Sequence, residues 1–171
     1  MKDTTPHNGT SFKLVTITLR YSVEQDRVRL DGADNDGKTL TFWLTARLLN
    51  RLIPHLIRRQ ADTRFSARNA VSTTIEESES SGKKVDTVRC EPGSPEVLVA
   101  SVDVSTLEER LLLVFKDLEE AHRGIFVMPQ AAFAQWNAGL KQCFEQAGWS
   151  QSAFQSDSSS GPAGLGEITI H

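Results

Sequence analysis

Two cysteines, Cys90 and Cys143, are all that 171 residues contain, and they form no CxxC pair. A disulfide framework is thereby excluded, and free thiols point to a reducing compartment, with the cytoplasm as the expected location. The four histidines, His7, His55, His122 and His171, have no second ligand two to four residues further on, so no zinc or haem signature can be written. Apolar runs long enough to span a bilayer are missing, and the opening MKDTTPHNGT lacks a signal-peptide core; no membrane association is expected. A net charge of -3 argues against general affinity for nucleic acid or anionic lipid, while leaving room for a local basic patch. No serine lies in GxSxG, and the glycine-rich GPAGLGE follows no strand and lacks a lysine. The composition therefore supports neither an enzyme nor a cofactor or metal protein.

What is present is a pattern stated twice. At a spacing of 83, Asp26 and Arg27 fall on Glu109 and Arg110, Val28 on Leu111 and Leu30 on Leu113. Upstream at the same spacing, Val15, Ile17, Leu19 and Tyr21 fall on Leu98, Ala100, Val102 and Val104. Downstream the spacing becomes 84, which sets Phe42 on Phe126 and Leu44 on Met128, and Leu49, Leu52 and Leu56 on Phe133, Trp136 and Leu140. Period-2 alternation followed by a 3.6-residue period predicts strands and then a helix in each copy. The expected fold is α+β: two tandem βββα repeats, each an antiparallel sheet plus a helix, related by pseudo-two-fold symmetry. The first repeat spans 11–61, with strands at 12–22, 27–31 and 38–44, a turn at Asp34-Asn35-Asp36-Gly37, and Thr45 capping a helix over 46–60. The second spans 96–148, with strands at 96–104, 110–118 and 123–128 and a helix from Pro129 to a stop at Gly148. Residues 1–10 read as a loose arm, 62–95 as a flexible linker rich in serine and charge, and 149–171 as a mobile tail whose Ile168, Thr169 and Ile170 can add a strand to an open edge.

The two repeats differ on their outer faces. Alternation in the first sheet turns Arg20, Arg27, Arg29 and Trp43 outward among threonines, a surface that is either solvated or able to stack a base and hold phosphates. On the following helix, Leu48, Leu49, Leu52, Ile53 and Leu56 share one arc with Ile57 at its edge, and Arg47, Arg51 and Arg58 lie opposite, extended by Arg59, Arg64 and Arg68. That basic row is a solvated face or a site for phosphate or an acidic partner. The acidic run 76–79 is one candidate to lie against it.

The second sheet is apolar on both faces, for Val97, Val99, Leu112, Val114, Ile125 and Val127 alternate with the inward set. A strand that alternates less than its sibling is covered on both sides, here by a partner protein or second copy, or by closure of the chain on itself.

A sheet followed by a helix, stated twice, is similar in outline to the tandem units of the Whirly and PUR-type single-strand-binding proteins. Those units have four strands, and none of their binding motifs is matched here, so no residue role follows from the likeness. The expected function is a non-enzymatic protein-interaction or assembly module, with homodimerisation through the apolar outer face. The alternative is a single-stranded nucleic-acid binder using Arg20, Arg27, Arg29 and Trp43.

Overall fold

The alternation that runs unbroken through Val15 in the sequence is divided there in space. In the computed structural model, which describes residues 9–70, 87–107, 110–155 and 168–171, the expected first strand is two: β1 (Thr10–Leu14) and β2 (Thr16–Ser22). They belong to different sheets. β2 pairs antiparallel with β3 (Arg27–Ala33), which pairs with β4 (Thr39–Leu44), and the first helix, α1, runs Ala46–Ala70. The second half repeats the division: β5 (Glu96–Leu98) and β6 (Ser101–Leu107) are consecutive but separate, followed by β7 (Arg110–Lys116), β8 (His122–Pro129) and α2 (Gln130–Ala147). A short 3-10 helix at Gln151–Phe154 and a last strand, β9 (Ile168–Ile170), complete the order.

Each sheet is finished by a strand from the other half. The four-stranded sheet is ordered β2-β3-β4-β5, and the five-stranded sheet β1-β8-β7-β6-β9. β1 lies parallel to β8 and β5 parallel to β4; the neighbours within each half are antiparallel. Each half thus supplies four strands where the sequence suggested three. Strands that switch sheets through a bend form closed corners, provided the bend residues keep their backbone hydrogen bonds. They do: the Val15 N–H donates to the Ala33 carbonyl (2.9 Å), the Val99 N–H to Trp43 (3.0 Å) and the Ala100 N–H to Lys116 (2.8 Å).

The bends also reset the inward phase. Phe12 and Leu14 are buried, Val15 is 50% exposed, and the inward positions resume at Ile17. Likewise Val97 and Val99 are buried, Leu98 is 50% exposed, and burial resumes at Val102. Val15 and Leu98, expected inside, are therefore outside, while Val97 and Val99, expected on the outer face, fill the core. Inward positions on either side of the bends, Ile17 among them only partly buried, lie at a spacing of 85 (14 with 99, 17 with 102), not 83. The hairpins account for the difference. Ser22 pairs with Arg27 across a four-residue loop, whereas Leu107 pairs with Arg110 across two.

Local signals are placed as their chemistry requires. Asp34 Oδ1 accepts from the N–H groups of Asp36 (2.9 Å) and Lys38 (2.8 Å), closing a turn in which Gly37 takes φ 78°. Thr45 Oγ1 caps α1 by accepting from the Leu48 N–H (3.2 Å). Gly148, at φ 68°, ends α2, with its own N–H on the Glu145 carbonyl and that of Trp149 on Phe144. α1 continues through Pro54 ten residues beyond the expected end. Its Leu48, Leu49, Leu52, Ile53 and Leu56 are buried, which contributes on the order of 8 to 15 kcal/mol before chain entropy. α1 packs on β6 and β9, and α2 on β2 and β8, so each helix closes the side of the other half's edge strand.

Of the expected loose segments, 1–8, most of the linker including the acidic run 76–79, and 156–167 of the tail lie outside the described residues. The rest is placed: β9 pairs antiparallel with β6, and Phe154 and Trp149 set their rings edge-on against Phe144 at 5.1 and 5.2 Å.

The two sheets meet where Phe42 of β4 lies 5.5 Å from Phe115 of β7, over Gly124 of β8. A Cβ at Gly124 would overlap the Cε2 and Cζ atoms of Phe42. Gly124→Ala is therefore expected to destabilise the protein by about 1 to 3 kcal/mol in urea unfolding. Phe42→Leu should cost less in the Gly124→Ala background than in wild type, since the smaller side chain relieves the overlap.

Candidate functional site

Of the two outer sheet faces, the polar one is organised by a buried carboxylate. The register sets Thr18, Asp31, Thr41 and Glu96 in one row across the four-stranded sheet, and Arg20, Arg29, Trp43 and Leu98 in the next. Arginines directly opposite one another repel, so Arg20 and Arg29 need an anion between them. Asp31, with no exposed surface, supplies it: Arg20 Nη2 donates to Oδ2 and Arg29 Nε to Oδ1 at 2.8 Å. Thr41 Oγ1 (2.7 Å) and the Cys90 thiol (3.2 Å) donate to Oδ1 as well.

Cys90 arrives on a strap, residues 87–95, which the sequence placed in the linker. The strap crosses the outer face from β2 to β4 before becoming β5. Val88 donates its N–H to Thr18 Oγ1 (2.9 Å) and accepts from Arg20 at its carbonyl (3.4 Å). Ser94 shares a 2.6 Å hydroxyl contact with Thr39, and the Pro95 carbonyl accepts the Thr41 N–H at 2.9 Å. A polar sheet face is thus fastened to a polar segment by side-chain bonds that a strand ladder cannot make.

Burial pushes the Asp31 carboxyl up, yet the hydrogen bonds from Arg29, Thr41, Arg20 and Cys90 together hold it below the usual carboxylate range. Burial raises the Cys90 thiol, with the Thr41 hydroxyl opposing and Asp31 adding to the rise. Cys143, buried in α2, is pushed up to about 11 by burial. Both thiols are therefore held neutral at physiological pH and are poor nucleophiles. With every oxygen of Asp31 engaged, the cluster fastens rather than reacts.

Other sequence-predicted residues are distributed around it. Trp43 donates its indole N–H to Glu96 (3.0 Å) with the Arg29 guanidinium 5.6 Å from its ring, and Arg27 reaches Gln25 at the hairpin. The structure does not bring these arginines together with the helix row. Arg47 and Arg51 are exposed on α1, Arg51 donating to the His171 carbonyl (2.8 Å), and Arg58 is half-buried. Arg59 is buried; the side chains of Arg64 and Arg68 lie outside the described residues.

On the five-stranded sheet, Leu112 pairs across strands with Val127, and Val114 with Ile125. These four form an apolar block at the centre of the outer face, Val127 exposed and the others half-buried. Around it stand Lys13 and Arg123 on the β1 and β8 side and Asp103 on β6, the last bonded to Lys116 (2.8 Å) and Thr169. Among the described residues no group of three or more His, Cys, Asp and Glu could hold a metal ion, and no helix is long and apolar enough to cross a membrane. No protein family, curated protein or solved structure matches the chain.

Sequence reasoning set Asp31 on the same outer face as the arginines but missed its burial and its role, and it missed the strap. The available signal was an aspartate in a strand row flanked by two arginines, which calls for burial under a polar cover. Asp31→Asn is expected to cost about 2 to 4 kcal/mol at neutral pH, discounted because both arginines keep some exposure. Because the folded-state pKa is depressed, this stabilisation is present above the unfolded value of about 4 and lost as pH falls through the folded one. Urea unfolding of both proteins from pH 7 to pH 2 should show the gap closing in acid; a constant gap would rule out the charge-based account.

Proposed function

We propose that this chain is a non-enzymatic protein-interaction module that assembles as a homodimer through the outer face of its five-stranded sheet. The observation that carries the reading is a contrast between the two sheets. The four-stranded sheet has a polar outer face and is covered by the chain's own strap, whereas the apolar block of Leu112, Val114, Ile125 and Val127 has no layer on it among the described residues. An apolar centre rimmed by charge is the ordinary make-up of a contact surface. A two-fold axis parallel to the strands seats the block of one protomer on that of the other and lays Lys13 of one toward Asp103 of the other, while Asp103 keeps Lys116 and Arg123 keeps Glu120 within each chain.

The same reading takes the two halves of the chain as one duplicated unit related by pseudo-two-fold symmetry. Exchanging the halves converts the order β2-β3-β4-β5 into β6-β7-β8-β1, which supports it. One copy then kept a polar exterior fastened to its own chain, and the other acquired an apolar exterior for a partner. The two free thiols fit residence in the cytoplasm.

Size-exclusion chromatography with light scattering should give twice the 18.9 kDa chain mass for the wild type. Val114→Glu places an unpaired carboxylate in the contact, at a cost on the order of 3 kcal/mol or a hundredfold in Kd, and should give a monomer with unchanged circular dichroism. A wild type that stays monomeric at high concentration would refute the reading.

A further inference from the structure

The two edge strands next to the helices are treated differently. β6, against which α1 packs, carries β9 on its outer edge, with Val102, Asp103 and Val104 opposite Ile170, Thr169 and Ile168. β2, against which α2 packs, ends the four-stranded sheet, and no strand pairs with its outer edge among the described residues. An unpaired edge presents N–H and C=O groups at alternate residues, a template for another strand. Alongside this edge runs a groove of about 510 Å³ between β2, β8 and α2.

The groove is specific in its chemistry. Val15, Ile17, Leu19, Phe126, Met128 and Trp136 give it apolar walls, and among the described residues none that lines it carries a charge. A charged occupant would lose hydration with no opposite charge to meet it, so electrostatic complementarity requires a neutral one. Trp136 is only 5% exposed, and its Nε1 finds no acceptor among the described residues. That nitrogen is itself buried, so the ring meets an occupant of the groove through its carbon atoms.

We propose that the β2 edge and this groove bind an extended, uncharged peptide strand of a partner protein, which adds to the four-stranded sheet as β9 adds to the five-stranded one. Backbone groups pair with the outer edge of β2. An aliphatic side chain at alternate positions enters the groove beside Ile17 and Leu19, against the ring of Trp136. The chain's own Ile-Thr-Ile on β6 shows the kind of sequence such an edge takes: aliphatic and polar in turn. This site lies away from the apolar face of the five-stranded sheet and stands whether or not that face dimerises.

The test is a titration of isotope-labelled protein with a capped, uncharged Ile-Thr-Ile-Thr-Ile peptide, followed by amide and indole NMR shifts and repeated on Val114→Glu. The expected result is saturable movement of the amides of 16–19 and of the Trp136 indole signal, alike in both proteins. Trp136→Phe shrinks the ring that lines the groove and, in protein whose amide spectrum shows it folded, should weaken binding about tenfold. Gly139→Ala is expected to fold, since a Cβ there would sit 3.5 Å from Leu19 Cδ1 in ordinary contact, and to weaken binding by narrowing the groove. Shifts confined to β6 and β9 would overturn the proposal, as would folded wild-type protein that does not respond. So would free indole moving the Trp136 signal while the peptide leaves β2 unchanged, which would make the groove a small-molecule site.

Discussion

The structure depends on the exchange of short strands at two corners. β1 leaves its own half to lie along β8, and β5 does the same along β4, so neither sheet is complete without both halves of the chain. The exchange fixes how the sheets face each other, and that in turn brings Phe42 onto Phe115 and leaves room above β8 only for the hydrogen of Gly124. It also explains why each helix packs on a strand of the other half, α1 on β6 and α2 on β2. Two small units that each left an edge and an apolar face open would be marginal alone; joined, they bury one shared core.

Within this common frame the two outer faces have opposite chemistry. On one, Asp31 neutralises two arginines that would otherwise repel, and its remaining acceptor capacity, with Thr18 and Thr39, fastens the strap. Polar cover on a polar face costs little, because each desolvated group finds a partner. On the other face the cross-strand pairs are aliphatic and can gain nothing from such a strap. On the reading proposed above, an apolar cover comes from a second copy. The β2 edge and its neutral groove are a third surface, separate in position and in the ligand chemistry they accept.

Much of this was legible in the sequence, and the parts that were not share a cause. Both helices, their buried stripes, the Thr45 and Gly148 caps and the Asp34 turn were readable because each rests on residues within a turn or two of one another. The bends were not, because Val15 and Leu98 continue an apolar alternation whose phase changes only when the strand passes to another sheet. The spacing of 83 concealed the same fact, since hairpin loops of unequal length shift the upstream match by two residues. Residues 87–95 have the composition of a linker, yet such composition also suits a segment laid over a polar sheet. The outward arginines and Asp31 share the expected face, while the pairing by which Asp31 neutralises both arginines became visible only through the register.

The account centres on a second copy seated on the apolar block of the five-stranded sheet. Isotope-filtered NMR on a mixture of differently labelled chains detects contacts between protomers and nothing within one. Cross-protomer contacts among the methyl groups of Leu112, Val114, Ile125 and Val127 are the predicted result; their absence, or contacts found only at α1 or at β2, would contradict it.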